Sequence, residues 1–282
     1  MKKILVPTDF SKHAQTSTEV AADIARRSGA TLILLHVVEE ATAGSFNVGG
    51  ESSMGSVEDR LYNVRLINKA RKQLEKAVND ASYSDIRVDG ELKVGNPFHG
   101  MRTIVMDNKV DLVVMGKSGK TKFQEMIIGS NTDKVVRLAK CPVLTVNKKP
   151  VRSDFRHIVY ATAMAKDEVA FARIVKRAQQ LYDSTVHLVR INTPGDFQRD
   201  HIVKDEMQKF AKNIGLKNHT INVYNDVNVE EGVIRFADSI DADMIAMATH
   251  GRTGFAHVIA GSVAEDVVGH AKRPVLTFVV KR

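Results

Sequence analysis

The chain has 282 residues, of which 43% are hydrophobic and 26% are charged. This composition excludes disordered and fibrous proteins, because it supplies enough apolar surface for ordinary cores. The formal net charge of +8 is spread evenly over both halves of the chain and only 6% of the residues are aromatic, which argues against nucleic-acid binding. The single cysteine, Cys141, excludes an intramolecular disulfide. With no signal peptide and no apolar run of about 20 residues, the protein is expected to be cytoplasmic and without a membrane span.

The first half of the sequence predicts five strands that alternate with helices. Each strand is a short β-branched or aliphatic run without strict alternation, which is typical of a parallel sheet covered on both faces. These strands are Ile4–Pro7, Thr31–Val38, Ile86–Val94, Asp111–Gly116 and Val143–Val146. Helix starts are predicted at Ser11, at Asn96 followed by Pro97, and at Ser130. This order implies right-handed βαβ crossovers and a doubly wound α/β fold.

The second half repeats the first. Four residues recur at a shift of 132 positions: Gly119, Gly129, Ser130 and Pro142 are matched by Gly251, Gly261, Ser262 and Pro274. The strands predicted here are His157–Ala161, Thr185–Ile191, Thr220–Tyr224, Met244–Ala248 and Val275–Val280. The sequence therefore predicts two tandem five-stranded parallel-sheet domains, residues 1–149 and 150–282, with the boundary in the polar connection over residues 147–156.

The first half also contains an insertion. Ile4 matches Ile158 at a shift of 154 rather than 132, so the first half holds about 22 extra residues. We place them after the second strand, in Ala41–Ser56, whose glycines and serines predict a surface loop. This loop is either a flap that closes over a ligand or a disordered segment.

Two segments of the first half are expected to meet at the carboxyl ends of the strands, where parallel sheets bind ligands. One is Pro7-Thr8-Asp9, directly after the first strand. The other runs from Gly116 to Gly129-Ser130 at a helix start. Glycines allow the backbone to approach a phosphate, and exposed N–H groups at a helix start favour anionic oxygens. Both segments also have a purely structural interpretation: a tight loop with a helix cap, and, for Asp9, a cap near Ser11.

The spacing Gly116-x2-Gly119-x9-Gly129-Ser130, together with VPTDFS, LLHVV and KCPVLTV at three strands, resembles the universal stress protein family in its ATP-binding branch. The resemblance covers nearly the whole chain and implies a Rossmann-like fold of the adenine nucleotide alpha hydrolase type. It also implies an adenine near Asp9 and Val37, a ribose near Met115 and Gly116, and phosphates on the glycine loop. The full set of implied nucleotide-binding residues is Pro7, Thr8, Asp9, Val37, Met115, Gly116, Gly119, Lys120, Gly129, Ser130 and Asn131. The expected ligand is ATP or another adenine nucleotide, with Mg²⁺ left open.

The second copy departs from this pattern. Asp9 is matched by Ala163, His36-Val37 by Arg190-Ile191, and Gly116 by Ala248. The phosphate half persists as a second candidate phosphate site, formed by Gly251, Arg252, Gly261 and Ser262. The alternative is that these glycines remain only because the loop must turn.

Other nucleotide and metal motifs are absent from the sequence. A P-loop would need a glycine where Val114 stands, and no dinucleotide fingerprint follows the first strand. No catalytic residue is predicted, since no second carboxylate can be placed near the phosphates, and any ATPase activity should therefore be slow. No metal site is predicted, because no C-x-x-C or H-E-x-x-H spacing is present. Two functions stay open: a nucleotide-binding stress or signalling module, and a scaffold or interaction protein with vestigial sites.

The last strand of each copy, Val143–Val146 and Val275–Val280, is an apolar sheet edge, and such edges tend to be paired or covered. The two copies are therefore predicted to pack as an intrachain pseudo-dimer, in line with the family's habit of pairing through this strand. A further homodimer of the whole chain is left open.

Overall fold

The structure is a computed structural model that describes residues 1–39, 57–117, 130–147, 154–250 and 263–280. The first half contains β1 (Lys3–Pro7), α1 (Lys12–Ser28), β2 (Thr31–Val38), α2 (Val57–Val78), β3 (Val88–Val94), α3 (Pro97–Asp107), β4 (Leu112–Gly116), α4 (Ser130–Leu138) and β5 (Val143–Val146). The second half contains β6 (His157–Ala161), α5 (Val169–Tyr182), β7 (Thr185–Asn192), α6 (Asp200–Ile214), β8 (His219–Asn225), α7 (Val229–Ser239), β9 (Met244–His250), α8 (Val263–His270) and β10 (Val275–Val280). Short 3₁₀ turns lie at Ala81–Tyr83 and Lys166–Glu168.

These elements confirm the predicted fold class, and every predicted strand is present with its ends within two residues of the prediction. The predicted helix starts are also present. Ser11 caps α1 by accepting a hydrogen bond from Ala14 N, and Asn96 caps α3 by accepting one from His99 N, with Pro97 in the first turn. Among the described residues, no helix combines the length and the hydrophobicity that a membrane span requires.

All ten strands form one sheet in the order β3-β2-β1-β4-β5-β10-β9-β6-β7-β8. Within each half the strands are parallel, and the halves meet where β5 pairs antiparallel with β10. In this pairing Thr145 lies opposite Val275, and its Oγ1 donates a 3.2 Å hydrogen bond to the carbonyl of that valine. The terminal strand of each five-stranded unit is therefore an interior strand of the sheet.

Helices cover both faces of the sheet, and the central strands are buried on both. Ile4, Leu5 and Val6 on β1 are all fully buried, although successive side chains point to opposite faces. One apolar cluster is continuous across the two halves, joining Val6 and Tyr160. Burial on both faces explains why the strand sequences lack an alternating pattern.

The insertion is distributed differently from the prediction, which placed it in a loop alone. The register pairs Leu32 with Val88 in the first half and Val186 with His219 in the second, so the extra residues do fall between the second and third strands of the first half. Part of them lengthens the helix, because α2 has 22 residues and α6 has 15. The Ala81–Tyr83 turn takes up more of the length. The predicted loop Ala41–Ser56, and with it the flap hypothesis, lies outside the described residues.

Candidate functional site

The carboxyl ends of β1, β2 and β4 lie side by side at one edge of the first half. β1 pairs with β2 up to Pro7 opposite Leu35, and Thr8 N then donates a 2.8 Å hydrogen bond to Leu35 O. β4 pairs with β1 on the other side and ends at Gly116. The structure therefore brings the predicted residues of β1 and its turn to the same edge as Met115 and Gly116, at the crossover point of the strand order.

The turn after β1 is built from side chain to backbone hydrogen bonds. Thr8 Oγ1 accepts from Phe10 N at 3.0 Å, and Asp9 Oδ1 accepts from Ser11 N at 2.9 Å. Phe10 has a left-handed backbone with φ of 60°. Asp9 thus has the structural role of fixing the turn, as its alternative interpretation predicted. Its second oxygen, Oδ2, accepts no hydrogen bond from the residues that the structure describes and belongs to a side chain that is partly exposed.

His36 is a contact that sequence reasoning missed. Its Nδ1 lies 2.7 Å from Thr8 O, and its ring lies over Phe10 with the centroids 4.5 Å apart. A carbonyl oxygen can only accept, so Nδ1 carries the proton of this hydrogen bond. The imidazole therefore fixes the end of β2 to the turn after β1. The sequence offered one signal for this contact, a polar residue in the otherwise apolar run of β2.

Val37 is half-buried beside α3, and a glycine makes the approach of that helix possible. A Cβ on Gly100 would lie 3.0 Å from Val37 Cγ2, which is closer than most such contacts. The absence of a side chain at Gly100 lets α3 pack against the end of β2. Since Val37 is only half-buried, part of its apolar side chain stays exposed near the end of β2, where the resemblance places an adenine.

The fourth strand is connected to the start of α4. Thr132 Oγ1 donates a 3.0 Å hydrogen bond to Gly116 O, and Asn131 is half-buried in the first turn of this helix. Lys117 follows Gly116 and is only 4% exposed, and burial lowers the pKa of its ammonium. Sequence reasoning selected Lys120 as a cationic residue of the loop and did not single out Lys117.

Several predicted residues lie outside the described residues. In the first half these are Gly119, Lys120 and Gly129, while Ser130 is the first residue of α4 and only its backbone is described. The whole second candidate phosphate site, Gly251, Arg252, Gly261 and Ser262, also lies outside the described ranges. The part of the predicted site that the structure places is therefore the strand end of the first half and the beginning of α4.

The same turn exists in the second half, with φ of 59° at Met164, but a carboxylate fills it. Glu168 is 2% exposed. Its Oε2 accepts hydrogen bonds from Thr162 Oγ1 at 2.6 Å and from Tyr160 OH at 3.2 Å, and its Oε1 accepts from Ala163 N at 3.2 Å. In the first half the position that corresponds to Glu168 is Ala14, so the first half has no carboxylate there.

In the second half, two buried polar side chains hold the loop that follows β7. Arg190, which corresponds to His36, is buried and donates from Nη2 to Asp196 Oδ2 at 2.9 Å. Asn192, also buried, donates to Gln198 O at 2.9 Å. The loop from β7 to α6 is thereby fastened over the strand end. The sequence predicted that the second copy lacks the Asp9 anchor, but it did not predict these internal partners.

Metal binding has no support from the part of the chain that the structure describes, in which no group of three or more His, Cys, Asp or Glu side chains could hold an ion.

The sequence and the fold of this chain are similar to those of known proteins. A sequence model of the universal stress protein family matches residues 1–147 and 154–279. A universal stress protein of Synechocystis sp. is 24% identical over 292 residues, covering 99% of this chain and 100% of that protein. One from Methanocaldococcus jannaschii is 30% identical over 156 residues, covering 52% of this chain and 96% of that protein. The crystal structure of a universal stress protein from Archaeoglobus fulgidus has a TM-score of 0.77 at 18% identity, covering 99% of this chain and 96% of that one. These matches confirm the resemblance that the motifs predicted.

Proposed function

The chain belongs to the universal stress protein family, and on this premise we propose that its first half binds ATP or another adenine nucleotide in a stress-response or signalling role. The proposal rests on a difference between the two halves at the carboxyl ends of their strands, where the first strand of each half leads into the same kind of turn. In the first half Ala14 stands where the second half has Glu168, so no carboxylate reaches into the turn from α1, and Asp9 Oδ2 has no partner among the described residues. In the second half the Glu168 carboxylate occupies the turn and Arg190 is paired with Asp196.

The described residues of the first half suit an adenine nucleotide. Asp9 Oδ2 can accept a hydrogen bond from the exocyclic amine of the base, and Val37 offers an apolar contact to its ring. Met115 and Gly116 end β4 at the position proposed for the ribose. The amino end of α4 supplies backbone N–H groups, which favour phosphate oxygens. In our proposal the glycine loop from Gly119 to Ser130 completes the phosphate site.

We also propose that residues 1–149 and 150–282 are two domains that form an intrachain pseudo-dimer. The antiparallel pairing of β5 with β10 supports this arrangement, as does the apolar cluster that continues from one half into the other. In this proposal the second domain stabilises the first, and its own edge contributes little to nucleotide affinity.

The test is a calorimetric titration of the full chain with ATP, comparing the wild type with Asp9→Asn. Asparagine keeps the Oδ1 acceptor for Ser11 N, so the turn is preserved, but it replaces Oδ2 with a donor that cannot accept from adenine. We expect one ATP per chain and a loss of about 0.5–1.5 kcal/mol of binding free energy in the variant. An unchanged affinity would mean that Asp9 does not contact the base.

A matched pair of glycine variants separates the two halves. Gly119→Val should abolish ATP binding by blocking approach of the backbone to the phosphates, whereas Gly251→Val, at the corresponding position of the second half, should leave it unchanged. The reverse pattern would place the nucleotide in the second half. No ATP binding by the wild type would instead favour the scaffold function.

A further inference from the structure

A cleft of about 680 Å³ lies between the two halves, well apart from the strand ends described above. It runs between α1 and α5 and over the β5–β10 junction, and both halves supply its walls. We call it the α1–α5 cleft. Its volume is within the roughly 300–1,000 Å³ of sites that bind small organic molecules, which often lie between domains.

The walls of the α1–α5 cleft are mainly apolar. They are formed by residues from two helices and three strands, namely Ile24, Leu112, Leu144, Ile174, Leu181 and Leu276. Ile174 and Leu181 on α5 are only partly buried, although they pack against the continuous core. A ligand body placed here would remove apolar surface of both halves from water, which favours binding.

One residue of the lining carries a buried polar group without a partner. Tyr182 lines the cleft and is 5% exposed, and its hydroxyl makes no hydrogen bond within the described part of the chain. Its ring is held edge-on against Phe155 with the centroids 5.1 Å apart, which fixes the position of the hydroxyl oxygen. Burial raises the pKa of the phenol, which keeps it protonated as a hydrogen-bond donor. Buried hydroxyls are normally satisfied, so this one points to a missing acceptor.

The rim of the cleft is basic. Arg27 and Arg177 both line it and are exposed, and neither makes an ion pair with a residue that the structure describes. The Arg27 guanidinium lies 5.2 Å from the centre of the Tyr182 ring. The contrast with Arg26 is informative, because Arg26 is engaged by Asp23 at 2.8 Å and by Asp85 at 2.6 Å. Positive charge at the rim is thus available to a ligand.

One acidic residue, Asp111, lies in the lining, where cationic side chains outnumber it. Asp111 Oδ2 accepts hydrogen bonds from the backbone N–H groups of Lys2 at 2.6 Å and of Lys3 at 3.1 Å. Its carboxylate is therefore engaged at the start of β1. Lys140 adds a further exposed cation to the lining.

We propose that the α1–α5 cleft binds an organic anion with a large apolar body and a single sulfonate or carboxylate head. The apolar walls take the body, the arginines at the rim take the head, and the Tyr182 hydroxyl donates to an acceptor on the ligand. This site is separate from the nucleotide site and does not depend on it.

Two fluorescent probes with the same ring system test the proposal: anilinonaphthalene sulfonate, which is anionic, and phenylnaphthylamine, which is neutral. We expect the anionic probe to bind the full chain at one site and more tightly than the neutral probe. The double variant Arg27→Gln/Arg177→Gln should weaken the anionic probe by about fivefold to tenfold and leave the neutral probe unchanged. Arg173→Gln is the matched control, because Arg173 is exposed on α5 but does not line the cleft.

A second variant tests the hydroxyl without disturbing the fold. Tyr182→Phe removes a group that has no described partner, so the stability of the free protein should be unchanged or higher, while the anionic probe should bind about twofold to tenfold more weakly. A destabilised Tyr182→Phe variant with unchanged probe affinity would show that the hydroxyl is structural, and would overturn its assignment. Equal affinities for the two probes, or equal effects of the control and the double variant, would overturn the site itself.

Discussion

Replacing Glu168 with alanine should destabilise the protein by about 2–6 kcal/mol, because the change leaves two buried hydroxyls without their acceptor. Thr162 and Tyr160 are both buried, and each donates to Glu168 Oε2. An unsatisfied buried hydroxyl costs about 1–3 kcal/mol. The N–H groups of Ala163 and Ala165, which donate to Oε1, belong to residues that are not buried and can turn to water, so they add little.

Two further variants test this reasoning. Glu168→Gln should cost less, since the amide keeps one acceptor oxygen and the hydroxyls can rotate to accept from its N–H groups. Tyr160→Phe should cost stability in the wild type but little or nothing in the Glu168→Ala background, where its hydroxyl has already lost its partner. This non-additivity is the signature of a direct interaction.

The assay is urea unfolding, with the free energies compared at equal slopes. Glu206→Ala on the exposed side of α6 is the control, and it should remain within about 0.5 kcal/mol of the wild type. If Glu168→Ala also fell within that range, or if Glu168→Gln cost as much as Glu168→Ala, the account of a satisfied buried carboxylate would be wrong.

Two further predictions concern packing and pH. Gly232→Ala should destabilise the protein by about 1–3 kcal/mol, because the new Cβ would lie 2.6 Å from Ile191 Cγ2. This cost should exceed the gain from the higher helix propensity of alanine. The control is Gly195→Ala, whose Cβ would have no neighbour within 4 Å, and which should leave the stability in the same urea assay unchanged. Burial and a neighbouring histidine lower the pKa of His187 below its ordinary 6.5, so the unfolded chain takes up a proton first as the pH falls, and stability should drop below about pH 6.5. His187→Asn should remove part of that drop in unfolding midpoints measured between pH 5 and pH 7, and an identical pH profile in the variant would contradict the assignment.

The fold was predictable because burial on both faces leaves a strong pattern in the sequence. Runs such as Thr31–Val38 are too short and too apolar for surface helices, and residues such as Ser11 and Asn96 mark helix starts through their capping oxygens. The internal repeat supported each assignment twice. The strand ends were predicted accurately because the flanking polar residues lie where the sheet meets solvent.

The side-chain chemistry of the edges was less predictable. The contact of His36 with Thr8 O depends on a left-handed turn at Phe10, and no residue type signals a positive φ at a phenylalanine. A glutamate near a helix start is usually exposed, and only the tertiary structure shows that Glu168 is buried against Thr162. The length of the α2 helix was also missed, because the expected loop was assigned the whole insertion.

Our last prediction is that the nucleotide site and the α1–α5 cleft bind their ligands independently. Both sites contact α1: the Asp9 turn leads into its amino end, and Arg27 lies near its carboxyl end. A helix of 17 residues spans about 25 Å, and Val20, Ala21 and Ala22 in its middle are buried in the core. Coupling between sites needs an element with two arrangements that each ligand favours differently, and the buried middle of α1 opposes a shift of this helix. Saturating ATP should therefore change the dissociation constant of anilinonaphthalene sulfonate by less than about twofold in a fluorescence titration. A change of fivefold or more would show that α1 or the β5–β10 junction moves between two states.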